Sequence, residues 1–260
     1  MKIDPNAETL ILSDDKLFYT IEGEGEFVGQ PSVFMRLAMC NLTCSGFASE
    51  SSPNGCDSFI SWSVKNKMTF QEIWDEFFSR PGENYIEHLH KGAILKLTGG
   101  EPLIQQKQLL KFIKWLEVKY YQQYGGANML TIDFETNATI MPDPEWMDLY
   151  SVVSFTTSPK LSTNGDPLEK TYKPEVLAWH AEMFSGFKFV VTCSEDLDEI
   201  WSKFVNTFGI ANHRIWLMPC CGSRFEHEQE CQAVAEYAKA LHVNFSPRLH
   251  LVIWDKALLV

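Results

Sequence analysis

A chain of 260 residues is long enough to bury a substantial core, and 45% hydrophobic against 22% charged residues is the balance of a folded protein, which excludes disorder as the main state. Lys and Arg number 22 and Asp and Glu 34, giving a net charge of −12. Such a surface repels phosphate backbones and anionic membranes, so neither a nucleic-acid nor a membrane partner is expected. No run approaches the ~18 apolar residues of a bilayer-spanning helix. The start, MKIDPNAETLILSDD, lacks the apolar segment of a secretory signal, so a cytoplasmic location is expected.

Short apolar runs alternate with helix-like stretches and no long linker divides them. Strands are predicted at Ser32–Ala38, Ala93–Thr98, Met129–Thr136, Tyr150–Thr157, Gly186–Thr192, Arg214–Pro219 and Pro247–Trp254. Apolar spacing predicts helices at Met68–Arg80, Gln106–Tyr121, Ser194–Phe208 and Arg224–Leu241, the third opened by a capping-box-like Ser194. Alternation of this kind argues for an α/β fold with mostly parallel strands, open or closed into a partial barrel, over one domain of residues 1–260. Function in such folds sits at the C-terminal ends of the strands.

Seven cysteines, an odd number without a secretory signal, argue against a disulfide framework. Cys40, Cys44 and Cys56 form the tightest group, with three and then eleven residues between them. Three soft thiolates near a strand end suit an iron–sulfur cluster; zinc, or buried structural cysteines, are the other readings of the spacing. Closing eleven residues rather than two costs only about 1.5 kcal/mol, so the long spacer is no argument against a shared cluster. Cys193, Cys220, Cys221 and Cys231 are read as incidental. His88 and His90 form an HxH pair without a visible third ligand, so no zinc site is expected there. TGGEP, Thr98–Pro102, follows a predicted strand, and its glycines let backbone approach a ligand closely.

Taken in order, FYTIEGEG (Phe18–Gly25), GQPSVFMRL (Gly29–Leu37), CNLTC (Cys40–Cys44), CDS (Cys56–Ser58), LTGGEPL (Leu97–Leu103), ETNAT (Glu135–Thr139) and SPKL (Ser158–Leu161) resemble the 7-carboxy-7-deazaguanine synthase family of radical S-adenosylmethionine enzymes. LMP (Leu217–Pro219) and FSPRLHLVIW (Phe245–Trp254) resemble its longer members. The chain departs from the usual pattern in the eleven-residue second cysteine gap, an enlarged cluster loop over residues 40–58. It also has Ala138 where Gly is common and Ser58 where Thr is common.

The resemblance implies a partial (β/α) barrel of the radical SAM type. It implies conversion of 6-carboxy-5,6,7,8-tetrahydropterin to 7-carboxy-7-deazaguanine with loss of ammonia, on the route to deazapurines such as queuosine. Cys40, Cys44 and Cys56 would hold a [4Fe–4S] cluster whose free iron chelates S-adenosylmethionine. Thr98, Gly99, Gly100, Glu101, Ser158, Pro159 and Lys160 would line that cofactor. Ile21, Glu22, Gly23 and Thr98 would touch the pterin and Arg36 its carboxylate, while Ser58 would ligate Mg2+; Arg248 and His250 would lie near a segment closing the pocket. An electron donor such as flavodoxin and a homodimer are implied as well. Another small radical SAM enzyme, such as a glycyl-radical activase, and a non-catalytic iron–sulfur module are the alternatives.

Overall fold

The computed structural model describes residues 7–257 except 51, 83, 127 and 184. The segment read for a secretory signal begins outside these residues. Nine strands form one sheet: β1 (Thr9–Ile21), β2 (Pro31–Leu37), β3 (Asn66–Thr69), β4 (Ile94–Gly99), β5 (Thr131–Thr136), β6 (Val152–Thr157), β7 (Gly186–Val191), β8 (Ile215–Pro219) and β9 (Asn244–Phe245). Their order is β3-β1-β2-β4-β5-β6-β7-β8-β9. From β2 to β9 every neighbour is parallel, while β1 runs antiparallel to β2 and β3. The expected mostly parallel α/β sheet is therefore present.

Successive side chains on a strand face opposite ways, and here the two faces differ in chemistry. Leu95, Leu97, Ile132, Phe134, Phe187 and Phe189 belong to the buried apolar core. Alternating with them stand Lys96, Thr98, Asp133, Glu135, Thr156 and Lys188, a polar inner face. The chain after β1 crosses that face. Glu22 pairs with Lys96 of β4 at 3.0 Å, and Glu24 with Lys188 of β7 at 2.6 Å. A single loop reaching both strands requires the sheet to be rolled, so the open sheet is a partial barrel with charge inside it.

Four readings of the sequence are corrected. Residues 68 and 69 belong to β3, and the helix starts at Phe70 because Thr69 and Glu72 form a reciprocal capping box. Ser194 makes no side-chain cap; Asp196 instead accepts from the Thr192 and Cys193 N–H groups. Pro247–Trp254 is no strand. Leu249–Trp254 is a short helix, and Arg224 donates to the carbonyls of Leu251 and Ile253 at its end. The strand at this edge is β9, just before Pro247. Strand β1 went unread because Ser13-Asp14-Asp15-Lys16 looks like a turn; it is a register shift between Leu12 and Leu17, with Lys16 at φ 48°.

Candidate active site

The three cysteines lie in the connection that leaves β2. Cys44 adopts a left-handed conformation, φ 51°. Asp166 fixes that corner by accepting from the N–H groups of Thr43 and Cys44 at 2.9 and 2.8 Å. Gly55 passes so near the same corner that a Cβ there would meet the Cys44 carbonyl oxygen at 2.3 Å. Burial pushes the Cys40 thiol up to about 12 and the Cys56 thiol to about 11; Glu101 and the other two cysteines raise Cys40 further, and Asp57 and Cys44 raise Cys56. Such thiols stay protonated alone, whereas a bound metal deprotonates them outright.

Each sulfur faces a side-chain N–H donor from a different part of the fold, and Cys40 and Cys56 also have the backbone N–H groups of Leu42 and Ser58. Asn137 Nδ2 lies 4.0 Å from Cys40 Sγ, Asn164 Nδ2 donates to Cys44 Sγ at 3.5 Å, and Trp62 Nε1 donates to Cys56 Sγ at 3.4 Å. Donors aimed at sulfur are what an anionic cluster thiolate uses. Among the described residues no three His, Cys, Asp or Glu close on a single-ion site. The donor set fits an iron–sulfur cluster better than zinc.

The TGGEP turn packs directly on this loop. The Gly100 and Glu101 N–H groups donate to the carbonyls of Leu37 and Met39, and a Cβ at Gly100 would stand 2.7 Å from Cys40 Cβ. Glu101 is fully buried. Its carboxylate accepts from the Leu103 and Asn137 N–H groups and the Thr136 hydroxyl, locking the turn after β4 to the turn after β5. Burial lifts its pKa to about 7 against those donors. The Glu101 side chain expected to line the cofactor is thus committed to the protein, and backbone at Gly100 is what packs on the loop. Ser158 and the buried Pro159 follow β6. Lys160 donates to the Ser158 carbonyl and hydroxyl at 3.0 and 2.9 Å, and its charge acts on both Cys44 and Glu101.

Inside the barrel, Lys96 sits between Glu22 and Asp133, with the Asp133 contact at 2.6 Å. Lys188 sits between Glu24 and Glu135, and Thr98 donates to Glu135 at 3.0 Å. Burial raises the pKa of Glu22 despite Lys96, whereas Lys188 overcomes burial and holds Glu135 down to about 2. Ile21 ends β1 opposite Pro31. Gly23 abuts His250 so closely that a Cβ would meet its Nδ1 at 2.3 Å. Arg36 pairs with Asp15 at 3.1 Å, lies over the Phe18 ring at 5.6 Å, and Nη1 donates to Ser58 Oγ at 3.4 Å.

Ser58 does not offer a divalent-cation site as it stands. Its hydroxyl faces the Arg36 guanidinium and donates to Asp57 Oδ1 at 3.0 Å, while Asp57 Oδ2 contacts Arg248. A hard cation needs several free oxygens, and these are taken. His88 stacks on Tyr19 and His90 bonds Tyr120, away from any of these groups. Sequence reasoning passed over Asn137, Asn164, Trp62, Lys96 and Lys188. The two lysines carry a signal: ILKLT and FKFVV each set one Lys inside an otherwise apolar strand.

A family profile described as a 4Fe-4S single cluster domain matches residues 21–174. The 7-carboxy-7-deazaguanine synthase of Pyrobaculum aerophilum is 30% identical over 249 residues, 93% of this chain and 94% of that enzyme. The enzyme of the same name from Hyperthermus butylicus is 28% identical over 253 residues, 95% of each. The crystal structure of QueE from Escherichia coli shares the fold, with a TM-score of 0.58 over 93% of this chain and 95% of that one at 18% identity. Similarity that runs the length of the chain, well beyond the cysteine loop, makes this protein a member of the 7-carboxy-7-deazaguanine synthase family of radical S-adenosylmethionine enzymes.

Proposed function

We propose that this chain converts 6-carboxy-5,6,7,8-tetrahydropterin to 7-carboxy-7-deazaguanine with release of ammonia, within the radical S-adenosylmethionine deazapurine chemistry of its family. The observation that carries the reading is the meeting of the three-thiol loop with the TGGEP turn at the mouth of a charged barrel. Cys40, Cys44 and Cys56 would hold a [4Fe–4S] cluster, which would supply the single electron for radical chemistry on S-adenosylmethionine. The protein's share is positioning. Thr98, Gly99, Gly100, Glu101, Ser158, Pro159 and Lys160 form the cofactor side of the mouth, with Glu101 acting through the turn it locks.

Ile21, Glu22, Gly23 and Thr98 form the substrate side. Glu22, held by Lys96 in a dry setting, is an acceptor for the amino edge of a pterin. Arg36, fixed by Asp15 and Phe18, presents a planar fork that suits the substrate carboxylate. Rigid placement of this kind is what holds a reactive substrate in one geometry. The Mg2+ expected at Ser58 has no free oxygen set there and is not part of this mechanism. A homodimer fed by an electron donor such as flavodoxin, acting on a small molecule in the cytoplasm as one domain, remains our proposal. Seven free cysteines and a charge of −12 support a reducing compartment and no nucleic-acid partner. Among the described residues no helix is long and apolar enough to cross a membrane.

The test is anaerobic turnover of the reconstituted protein with dithionite, S-adenosylmethionine and 6-carboxytetrahydropterin, read by mass spectrometry. Product from wild type and none from Cys56→Ala is expected. 5′-Deoxyadenosine without the deazaguanine product would keep the radical chemistry and overturn the substrate.

A further inference from the structure

We infer that Arg248 is a built-in cation standing where a divalent metal would otherwise serve the substrate, so that turnover of this enzyme needs no Mg2+. The inference rests on the reading just proposed. Two carboxylates could share a hard cation with Ser58: Asp57, which its hydroxyl bonds, and Glu24, which Arg248 joins to Asp57. Arg248 holds both: Nε donates to Glu24 Oε1 at 2.8 Å, and Nη2 contacts Asp57 Oδ2. The remaining Glu24 oxygen accepts from Lys188 at 2.6 Å, and the remaining Asp57 oxygen accepts from Ser58. A metal entering here would meet two guanidinium groups and an ammonium, with all four oxygens of these two carboxylates claimed.

Arg248 is a fixture and not a surface arm. It is 8% exposed, Nη1 donates to the Cys221 carbonyl, and its own N–H donates to His227 Nε2 at 3.3 Å. The residues on either side tie the segment to the loop after β1. Gly25 N–H donates to Ser246 Oγ at 2.8 Å, and Leu249 N–H donates to the Gly23 carbonyl at 2.9 Å. A guanidinium carries five donors in a planar fork and remains charged at any working pH. Three are engaged with protein, so the fork can still offer N–H groups to a carboxylate or carbonyl of the substrate. Fixed positive charge at that place stabilises developing negative charge as a metal would, without a metal's demand for an oxygen shell.

The test uses the cluster-loaded enzyme freed of divalent ions on a chelating resin. Product formation is followed across added Mg2+, and Mn2+ binding is followed by electron paramagnetic resonance with S-adenosylmethionine and substrate present but no reductant. For wild type, Mg2+ is expected to change the rate by less than about twofold, with no stoichiometric Mn2+ site. Arg248→Gln, which uncovers Glu24 and Asp57, is expected to gain one Mn2+ site and a Mg2+ stimulation of about tenfold or more. A wild-type enzyme that loses its activity without Mg2+ and binds one Mn2+ overturns the inference, whether or not the variant folds. Absence of product at every Mg2+ concentration overturns the proposed reaction instead, and the Mn2+ titration still decides the cation question.

Discussion

The indole N–H of Trp62 points at the sulfur of Cys56 at 3.4 Å, and the Trp62 carbonyl accepts from the N–H of Met39, the residue before Cys40. One residue, by its side chain and its carbonyl, thus links the far end of the cluster loop to its beginning. An N–H donor favours the more negative, reduced state of a cluster. Trp62→Phe keeps the packing on Phe59 and loses the donor. Full iron loading is expected, with a midpoint potential lower by up to about 40 mV, since a hydrogen bond is worth roughly 1 kcal/mol and 59 mV equals about 1.4. A redox titration followed by electron paramagnetic resonance reads this; an unchanged potential would deny the bond a role.

Gly100 makes a second prediction on the same loop. A Cβ there would lie 2.2 Å from the Met39 carbonyl oxygen and 2.7 Å from Cys40 Cβ, and backbone cannot step aside as a flexible side chain can. Gly100→Ala is expected to displace Cys40 and lower the iron content from about four per chain to well below half of that. Gly92→Ala, with open space around its Cβ but φ 98°, serves as a control that strains backbone away from the loop. Equal iron content in the two variants would refute the close-approach argument.

The inner lysines carry a stability prediction. Lys188 is buried with Glu24 and Glu135 on either side; if the ammonium goes, Glu135 loses its ion pair while Glu24 keeps Arg248. Lys188→Met is expected to cost about 3–5 kcal/mol, because breaking a buried pair strands its partner. In a chain of this size that lowers the melting midpoint by about 10 °C. Adding Glu135→Gln removes one stranded charge and should recover part of the loss. A double variant no more stable than Lys188→Met would show that Glu135 is not coupled to the lysine.

The cysteine loop and the glycine turns were legible in the sequence because their chemistry is local: thiols at short spacing, and glycine pairs at a strand end. The charged interior was not, although Lys96 and Lys188 stood in plain view inside ILKLT and FKFVV. Their meaning depends on Glu22 and Glu24 reaching them across a rolled sheet, which no local pattern encodes. Leu249–Trp254 misled for the opposite reason. LVIW has the β-branched look of a strand, and its helical state is set by Arg224, distant in sequence, taking up its terminal carbonyls.

His180 gives the pH dependence that belongs to the fold itself. It is fully buried between Phe155 and Trp179, Nδ1 bonds Ser185 Oγ at 3.1 Å, and Nε2 has no hydrogen-bond partner among the described residues. Burial lowers its pKa from 6.5 to about 3, so the ring stays neutral in the fold while the unfolded chain takes up a proton below pH 6.5. The unfolded state binds more protons in that window, so the stability this residue contributes is full above pH 6.5 and falls as the pH drops towards 3. From neutral pH to about pH 5 the loss from this one group is about 2 kcal/mol, or roughly 6 °C in melting midpoint. His180→Gln cannot titrate. Its midpoint is expected to fall less than that of wild type over the same range, by about that margin, even if the variant starts lower. Parallel melting curves for the two proteins from neutral to acid would show that the imidazole reaches its proton in the folded state.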